Sequence, residues 1–507
     1  MSKSVLREIN AVRKDIREVN ILFGYCYPST YRAGMTSLAT HLFYSTLNQR
    51  EDTSCERYFR YHTSSAAHSV ESDRPIRDNH VIGFSLSFEE DILHVIQMIS
   101  MGKIPVQAHN RTSEDPIVLM GGPVVSANPC PYERFIDVFV IGEGDLVIHE
   151  IMESITNSSS RTESLEKIAE LEGVYIPTRK QTRIRRQIIQ NLDDVFHPTS
   201  QIVPIVPTGS KLEPVFGKSL LVEVGRGCGH SCKFCLVGHI CQPRRMRSFH
   251  KLKDIISKGI QDTPVQKIAF IAPTLGDLPE FEQLLDWCIQ QSLEISAPSL
   301  RADSVNSNLL DSIVKGGQRT LTIAPETGTE RLRRLVGKGL SDEDIERATV
   351  LATKAKFQSI KLYFIIGLPE ETENDIEAIS TISEQIANIF PGKITVSVNP
   401  FIPKAHTRFE RKAQPKIEII RAKIRKIEKN LDGVPRVNME TLDPRSARIQ
   451  AALSLGGQEM GEIIQRASLY GGLGGWRRAE RETALPFFSV ANDQERLNGP
   501  LPWSFIE

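Results

Sequence analysis

Hydrophobic positions fall into short continuous runs separated by stretches with a helical repeat. Between residues 20 and 155 the runs are Ile21-Leu22-Phe23, Val81-Ile82-Gly83-Phe84, Ile117-Val118-Leu119-Met120 and Val138-Phe139-Val140-Ile141. Segments 36–47 and 89–101, between the runs, place apolar residues at helical spacing. This alternation predicts a parallel, doubly wound sheet, because strands covered on both faces read as unbroken apolar runs. Such sheets bind ligands beyond the carboxyl ends of their strands. Pro28-Ser29, Ser85-Leu86-Ser87, Gly121-Gly122-Pro123 and Gly142-Glu143-Gly144 occupy those ends, and glycine there lets backbone approach a large flat ligand.

From about residue 215 the alternation resumes with longer repeats. Strands are predicted over 220–224, 267–272, 296–301, 320–324, 360–364 and 394–398, with helices between them. One helix spans 279–291 with Asp277 as its cap and Pro279 in its first turn, and Ser341 and Thr372 cap two more. Six such units suggest a partial (β/α)6 barrel, whose chemistry gathers at the carboxyl ends of the strands. Leu6, Ile9, Val12 and Ile16 predict an amphipathic helix over 1–19 rather than a signal peptide. The stretch 181–214 is charged and then Pro-rich, and reads as a linker. Segment 416–429 predicts a helix with Ile417, Ile420, Ile424 and Ile427 inward and its lysines in water. After Pro400 the strand pattern fades. The expected plan is therefore a helix at 1–19, a doubly wound domain at 20–180, a linker at 181–214, a barrel at 215–405 and a mainly helical C-terminal extension at 406–507 that closes the barrel mouth.

Composition changes this picture little. Lysine plus arginine and aspartate plus glutamate both number 62, so no global field draws nucleic acid or an anionic membrane. No apolar run approaches the roughly 20 residues of a membrane span. Eight cysteines in 507 residues are no disulfide framework, and the expected location is the cytoplasm.

The decisive chemistry is Cys228-Gly-His-Ser-Cys232-Lys-Phe-Cys235, three thiols on a Gly-rich loop after the apolar run Leu220-Leu221-Val222. Thiolates suit zinc or iron–sulfur clusters. A structural zinc site wants four ligands, usually as two separated pairs. No second pair follows, so a zinc knuckle would have to use Cys241 or His239. The C-x3-C-x2-C string resembles the motif of the radical S-adenosyl-L-methionine (SAM) superfamily, in which three thiolates hold a [4Fe-4S] cluster with one open iron. Residues 299–304, 321–328 and 362–369 resemble segments of its cobalamin-type members, and 20–180 resembles their cobalamin-binding Rossmann-like domain.

The resemblance implies an α/β chain with an N-terminal cobalamin-binding domain, a radical SAM barrel and a C-terminal extension. It implies cluster ligands Cys228, Cys232 and Cys235, and SAM contacts from Pro273, Thr274, Arg301, Glu326, Gly367, Leu368 and Asn399. For cobalamin it implies Pro28, Ser29, Ser85, Leu86, Ser87, Gly121, Gly122, Gly142, Glu143 and Gly144. The loop at Pro273 departs from the Gly-Gly-Glu string many members carry. The implied activity is C-methylation of an unactivated sp3 carbon through a 5′-deoxyadenosyl radical and methylcobalamin, with a low-potential ferredoxin or flavodoxin as electron donor. Archaeal relatives of this type methylate protein side chains, including a glutamine of methyl-coenzyme M reductase. Alternatives are a methylthiotransferase using Cys26, Cys55 and Cys130 for a second cluster, a cyclase or rearrangement enzyme, and a non-catalytic cluster protein. Asp78-Asn79-His80-Val81-Ile82-Gly83 fits the D-x-H-x-x-G string of some cobalamin proteins, but His80 leads into a later strand, so no histidine ligand to cobalt is expected. The basic run 242–247 reads either as a solvated face or as a contact for an anionic group.

Overall fold

The computed structural model describes residues 6–60, 67–179 and 181–507. Its first unit is a six-stranded sheet. Strands β1 (Ile21–Tyr27), β2 (Thr53–Phe59), β3 (Val81–Ser85), β4 (Ile117–Gly121) and β5 (Val138–Val140) are parallel in the order 2-1-3-4-5, and β6 (Val174–Tyr175) runs antiparallel along β5. Both faces are buried. Ile82, Phe84, Val118, Met120 and Phe139 enter one core, while Ile21, Phe23, Tyr25, Leu119 and Val138 enter the other. The order reverses between β1 and β3, so the ligand crevice of such a sheet lies beyond their carboxyl ends.

The second unit holds seven parallel strands. They are β7 (Leu220–Glu223), β8 (Lys267–Ile271), β9 (Glu294–Ser296), β10 (Thr320–Glu326), β11 (Ser359–Ile366), β12 (Lys393–Pro400) and β13 (Val437–Thr441). They form the ladders 9-8-7 and 10-11-12-13, joined by a single parallel bridge from Leu300 to Ile323. Helices on the outside share one core with them. Ser341 and Thr372 cap their helices in capping boxes with Asp344 and Asp375.

Several expectations are corrected. The strand alternation does not end at Pro400: Ile417–Leu431 is another outer helix, and β13 pairs with β12. The strand expected over 296–301 stops at Ser296, because Pro298 has no N–H to give and the Ala297 N–H goes to Gln318 Oε1 at 2.7 Å. The helix expected from 279 starts at Phe281 with Glu280 as its cap, and Asp277 ends a separate 3-10 turn. No helix forms over 6–19; Glu8–Ile9 instead pairs antiparallel with Val203–Pro204, and residues 1–5 lie outside the described residues. Glu8 is drawn there by Arg57, buried between Glu8 and Glu71 at 2.6 Å each.

The later C-terminal helices, Pro444–Leu455, Met460–Tyr470 and Gly472–Thr483, pack on the first unit. Ala451, Leu453, Ile463, Trp476 and Trp503 complete the core beneath Phe84 and Met120. Asn128 Nδ2 donates to the carbonyls of Ser454 (3.0 Å) and Gly456 (2.8 Å). Among the described residues no helix is long and apolar enough to cross a membrane.

Candidate functional site

The cysteine loop leaves the carboxyl end of β7. A two-residue ribbon closes its base, Gly225–Arg226 against Arg245–Met246. Only glycine fits two of these positions. A Cβ on Gly225 would stand 2.4 Å from Met246 Sδ, and one on Gly227 (φ +74°) 2.3 Å from the Cys241 carbonyl. The Gln242 amide donates to the carbonyls of Cys228 and, at 3.0 Å, Gly238, while the Lys233 N–H is held by the Val336 carbonyl at 2.8 Å. Cys228 and Cys232 are buried, Cys235 is half-buried, and all eight cysteines are free. Burial pushes the Cys232 thiol up to about 11, against the pull of Lys338. Among the described residues no three His, Cys, Asp or Glu side chains gather tightly enough to chelate one ion. Three free thiols on a turn fixed by glycine fit a larger soft cluster.

Glu326 ends β10 beyond a register shift, with φ at +72°. Bulges and left-handed non-glycine residues gather where a side chain must be re-aimed. Its carboxylate accepts from Lys338 Nζ at 3.0 Å; burial raises its pKa, and Lys338 and Arg301 pull it back. Arg301 is itself held by Asp303 (2.7 Å) and the Lys338 carbonyl (3.0 Å). The charges of Lys338, Glu326 and Arg301 all reach the Cys232 thiol. Sequence reasoning missed Lys338. The only signal is Gly337-Lys338-Gly339, whose glycines both take positive φ (80° and 68°).

The loop is also tied to the first unit. Arg226 grips Asp145 through two bonds (2.7 and 2.9 Å) and Glu223 at 2.7 Å, and lies 3.4 Å from Glu143. Arg245 holds Glu143 at 2.7 and 3.0 Å. Glu143 stands at the start of the helix Gly144–Thr156 that leaves β5, and Asp145 sits in its first turn. The carboxyl edge of the first sheet thus meets the base of the cysteine loop through buried ion pairs. The basic run 242–247 is this tie, not a solvated face: Arg247 is fully buried and pairs with Glu223 at 3.1 Å.

Comparison with known proteins agrees with this geometry. Residues 222–381 match the radical SAM superfamily and residues 39–177 the N-terminal region of radical SAM proteins. An uncharacterized protein of Methanocaldococcus jannaschii is 33% identical over 401 residues, covering 78% of this chain and 80% of the relative. The chain belongs to the radical SAM superfamily. An uncharacterized methyltransferase of Pyrococcus horikoshii is 27% identical over 282 residues, 52% of this chain and 57% of its own. The fold is shared with the radical SAM methyltransferase TsrM of Kitasatospora setae, solved with cobalamin and [4Fe-4S] cluster bound. That match has a TM-score of 0.56 and 12% identity, and covers 92% of this chain and 100% of TsrM.

As a radical SAM protein the chain uses a [4Fe-4S] cluster and SAM, and its expected SAM residues divide into two groups. Glu326 and Arg301 come together beside the thiols. Pro273, Thr274, Gly367, Leu368 and Asn399 share the carboxyl edge; Pro273 is exposed, and the last three have other partners in the fold. Leu368 packs with Leu332, Val336, Phe401 and Phe409; the Gly367 N–H goes to Glu371 at 2.7 Å; Asn399 Oδ1 accepts from the Leu442 N–H at 3.1 Å.

In the first unit Pro28, Ser29, Ser85, Ser87 and Gly121 stand at strand ends as expected, while Leu86 is fully buried. At three of the expected glycines a Cβ would run into protein, so the fold itself calls for glycine there. A Cβ on Gly122 (φ +108°) would meet the Leu86 carbonyl at 2.6 Å, one on Gly142 (φ +99°) the Gln187 carbonyl at 2.3 Å, and one on Gly144 the Phe43 ring at 3.1 Å. Glu143 is taken by Arg245 and Arg226. His80 lies at the opposite end of β3, its Nδ1 accepting from the Leu22 N–H at 2.9 Å. Cys26 and Cys55 enter cores on opposite faces of the sheet, and Cys130 Sγ donates to the Pro502 carbonyl at 3.4 Å, so the three do not converge.

Two buried histidines near the unit boundary make the fold acid-sensitive. His197 Nε2 accepts from the Glu223 N–H at 3.1 Å, and burial with Arg247 pulls it down to about 3; burial pulls His41 down to about 4. Both are neutral when folded and take up a proton below about pH 6.5 when unfolded, so stability held above that pH drains as pH falls. By pH 5 the loss is about 2 kcal/mol for each. Urea unfolding at pH 7.5 and pH 5 should show the midpoint falling, and His197→Gln should flatten part of that slope.

Proposed function

We propose that the protein is a cobalamin-dependent radical SAM methyltransferase that places a methyl group on an unactivated sp3 carbon. We assign it a protein side chain as substrate, such as a glutamine of methyl-coenzyme M reductase, and a low-potential ferredoxin or flavodoxin as electron donor in the cytoplasm. One observation carries the reading. Arg226 and Arg245, at the two ends of the cysteine loop, hold Glu143 and Asp145 at the exit of β5. A group bound beyond the first sheet therefore faces the cluster loop. Likeness to TsrM along the whole chain supports this, since that enzyme binds cobalamin and a [4Fe-4S] cluster together.

When bound, the cluster and SAM supply a 5′-deoxyadenosyl radical and cobalamin supplies a methyl group. The chain's own work is positional. Cys228, Cys232 and Cys235 hold the cluster, and the second unit reads as an open barrel whose carboxyl edge holds SAM. There Glu326, fixed by Lys338, offers a carboxylate to a cationic or hydroxyl-bearing ligand, and Arg301 stands beside it. The substrate class rests on the overall layout, which resembles that of archaeal side-chain methylases, while 299–304, 321–328 and 362–369 resemble cobalamin-type radical SAM enzymes as a whole. The methylthiotransferase alternative loses support because Cys26, Cys55 and Cys130 are separated by the sheet and by sequence placement.

Anaerobic reconstitution tests the reading. About four irons and one corrinoid per chain are expected, with a 14-Da (about one CH2) gain on a substrate protein seen by mass spectrometry. About eight irons without corrinoid would sink it.

A further inference from the structure

Arg186 is a cation without a counter-ion. It lies in the segment joining the two units. Its Nε donates to the Ser126 carbonyl at 3.1 Å, and the Ser126 hydroxyl accepts from the Gly142 N–H at 2.9 Å, so the guanidinium is fixed at the exits of β4 and β5. Its Nη2 is shut away from water and has no hydrogen-bond partner. Neighbouring cations are answered: Arg226 by Asp145 and Glu223, Arg245 by Glu143, Lys404 by Glu89. Among the described residues no carboxylate answers Arg186. Burial pulls its guanidinium down to about 10; the Cys241 thiol is the group that offsets this, and the ionisable side chain of His406 is also within reach of its charge.

The surroundings point the same way. His406 stands beside it in a left-handed backbone conformation (φ 63°), its ring bonded to the Ala127 backbone and its Nε2 also buried without a partner. His239, whose Nδ1 pairs with the Cys235 carbonyl at 2.7 Å, approaches from the cysteine loop. Two orphaned polar atoms thus hang from consecutive residues, Ser126 and Ala127, between the first sheet and the thiols. Arg186 as a residue is only half-buried, but its Nη2 is turned inward, and inward-facing polar groups in finished proteins are paired. A guanidinium with a free N–H matches the oxygens of a carboxylate or phosphate better than any other partner.

We propose that Arg186 receives an oxyanion, a carboxylate or phosphodiester oxygen, of a ligand bound between the two units. The inference rests on the function proposed above, in which SAM brings a carboxylate and cobalamin a phosphodiester. Anaerobic, cluster-loaded wild type, Arg186→Met and Arg186→Lys are titrated with four probes: hydroxocobalamin, cobinamide (which lacks the nucleotide phosphodiester), SAM and decarboxylated SAM. Arg186→Met should weaken one anion-bearing probe by roughly ten- to a hundredfold and leave its anion-free counterpart within about twofold. Arg186→Lys should recover part of the loss, and the responding pair identifies the anion. The ligand-free melting temperature of Arg186→Met should stay level or rise, because a cation without a partner has gone. Equal binding of all four probes overturns the inference, as does a ligand-free protein that loses as much thermal stability as the loaded one. Wild type that binds neither corrinoid nor SAM overturns the functional reading itself, and this inference with it.

Discussion

Replacing Cys232 by alanine is expected to strip the protein of iron and of SAM cleavage while leaving the fold standing. The thiol's one hydrogen bond is a weak contact to the Gly337 carbonyl at 3.6 Å, so its structural share is small. The turn itself is held by other groups: the Gln242 amide, the Lys233 N–H to Val336, and the close approach of Gly227 to Cys241. Removing Sγ from this half-open loop should cost only about 1 kcal/mol of stability. Two thiolates cannot hold a cubane that needs three, so iron should fall from about four per chain to background. 5′-Deoxyadenosine formation should fall by at least about a thousandfold, the whole of the chemistry being the cofactors'. Cys288→Ala gives the control. That thiol is buried in the core of the second unit with Leu284, Leu285 and Ile313, and its loss should lower the melting point without changing iron. Cys26→Ala and Cys55→Ala should likewise leave iron at the wild-type value; a drop by half in either would restore the two-cluster alternative.

How much of this was legible in the sequence depends on the range of the interactions. The strands β1, β3, β4, β5, β7 and β8 could be read because each is covered on both faces, and that leaves an apolar run in the sequence. β10 to β12 bury mainly alternate residues and show as apolar–polar alternation, whereas β9 ends at Ser296, where the span expected for it begins. β13 could not be read. Val-Asn-Met-Glu-Thr is an edge strand with Asn438, Glu440 and Thr441 exposed, so it carries no run at all. The first segment was misread because Leu6, Ile9, Val12 and Ile16 do have a helical repeat. The competing partners, Val203–Pro204 for the backbone and Arg57 for Glu8, lie far away in sequence. The thiol motif was legible because its chemistry is local, and Glu326 because a strand end in an α/β unit is a functional place. Lys338 was not, since its role appears only when the loop after Leu335 folds back over β10. The glycines at 122 and 142 were found but their reason was not. Positive φ and the backbones of Leu86 and Gln187 demand them, with no need of a ligand.

Arg226→Met should be the most costly single change at the boundary between the units, in stability and in coupling alike. The guanidinium is only 15% exposed and binds Asp145, Glu223 and Glu143 at once, so its loss leaves three carboxylates facing one another with Arg245 and Arg247 as their remaining partners. Burial alone would raise the Glu223 carboxyl, but Arg226 and Arg247 outweigh it and hold it below the ordinary range. Breaking a buried pair of this kind costs about 3–5 kcal/mol, because the stranded charges stay out of water. Urea unfolding should show that loss, and Asp145→Asn added to Arg226→Met should recover part of it, since one stranded charge is then gone. Function should separate in the same variant. Iron should stay near wild type, because the thiol turn is held by Gln242, Lys233 and Gly227. The cysteine loop, however, would no longer be fixed against Asp145 and the exit of β5. SAM cleavage should therefore continue while methylated product per cleavage falls by at least about tenfold, a 1 Å misplacement being enough for such a loss. Arg57→Met, in the buried triad with Glu8 and Glu71 inside the first unit, serves as the comparison. It should destabilise by a similar amount and leave the ratio of methylation to cleavage unchanged; a matching fall in that ratio would mean that the Arg226 network only holds the fold.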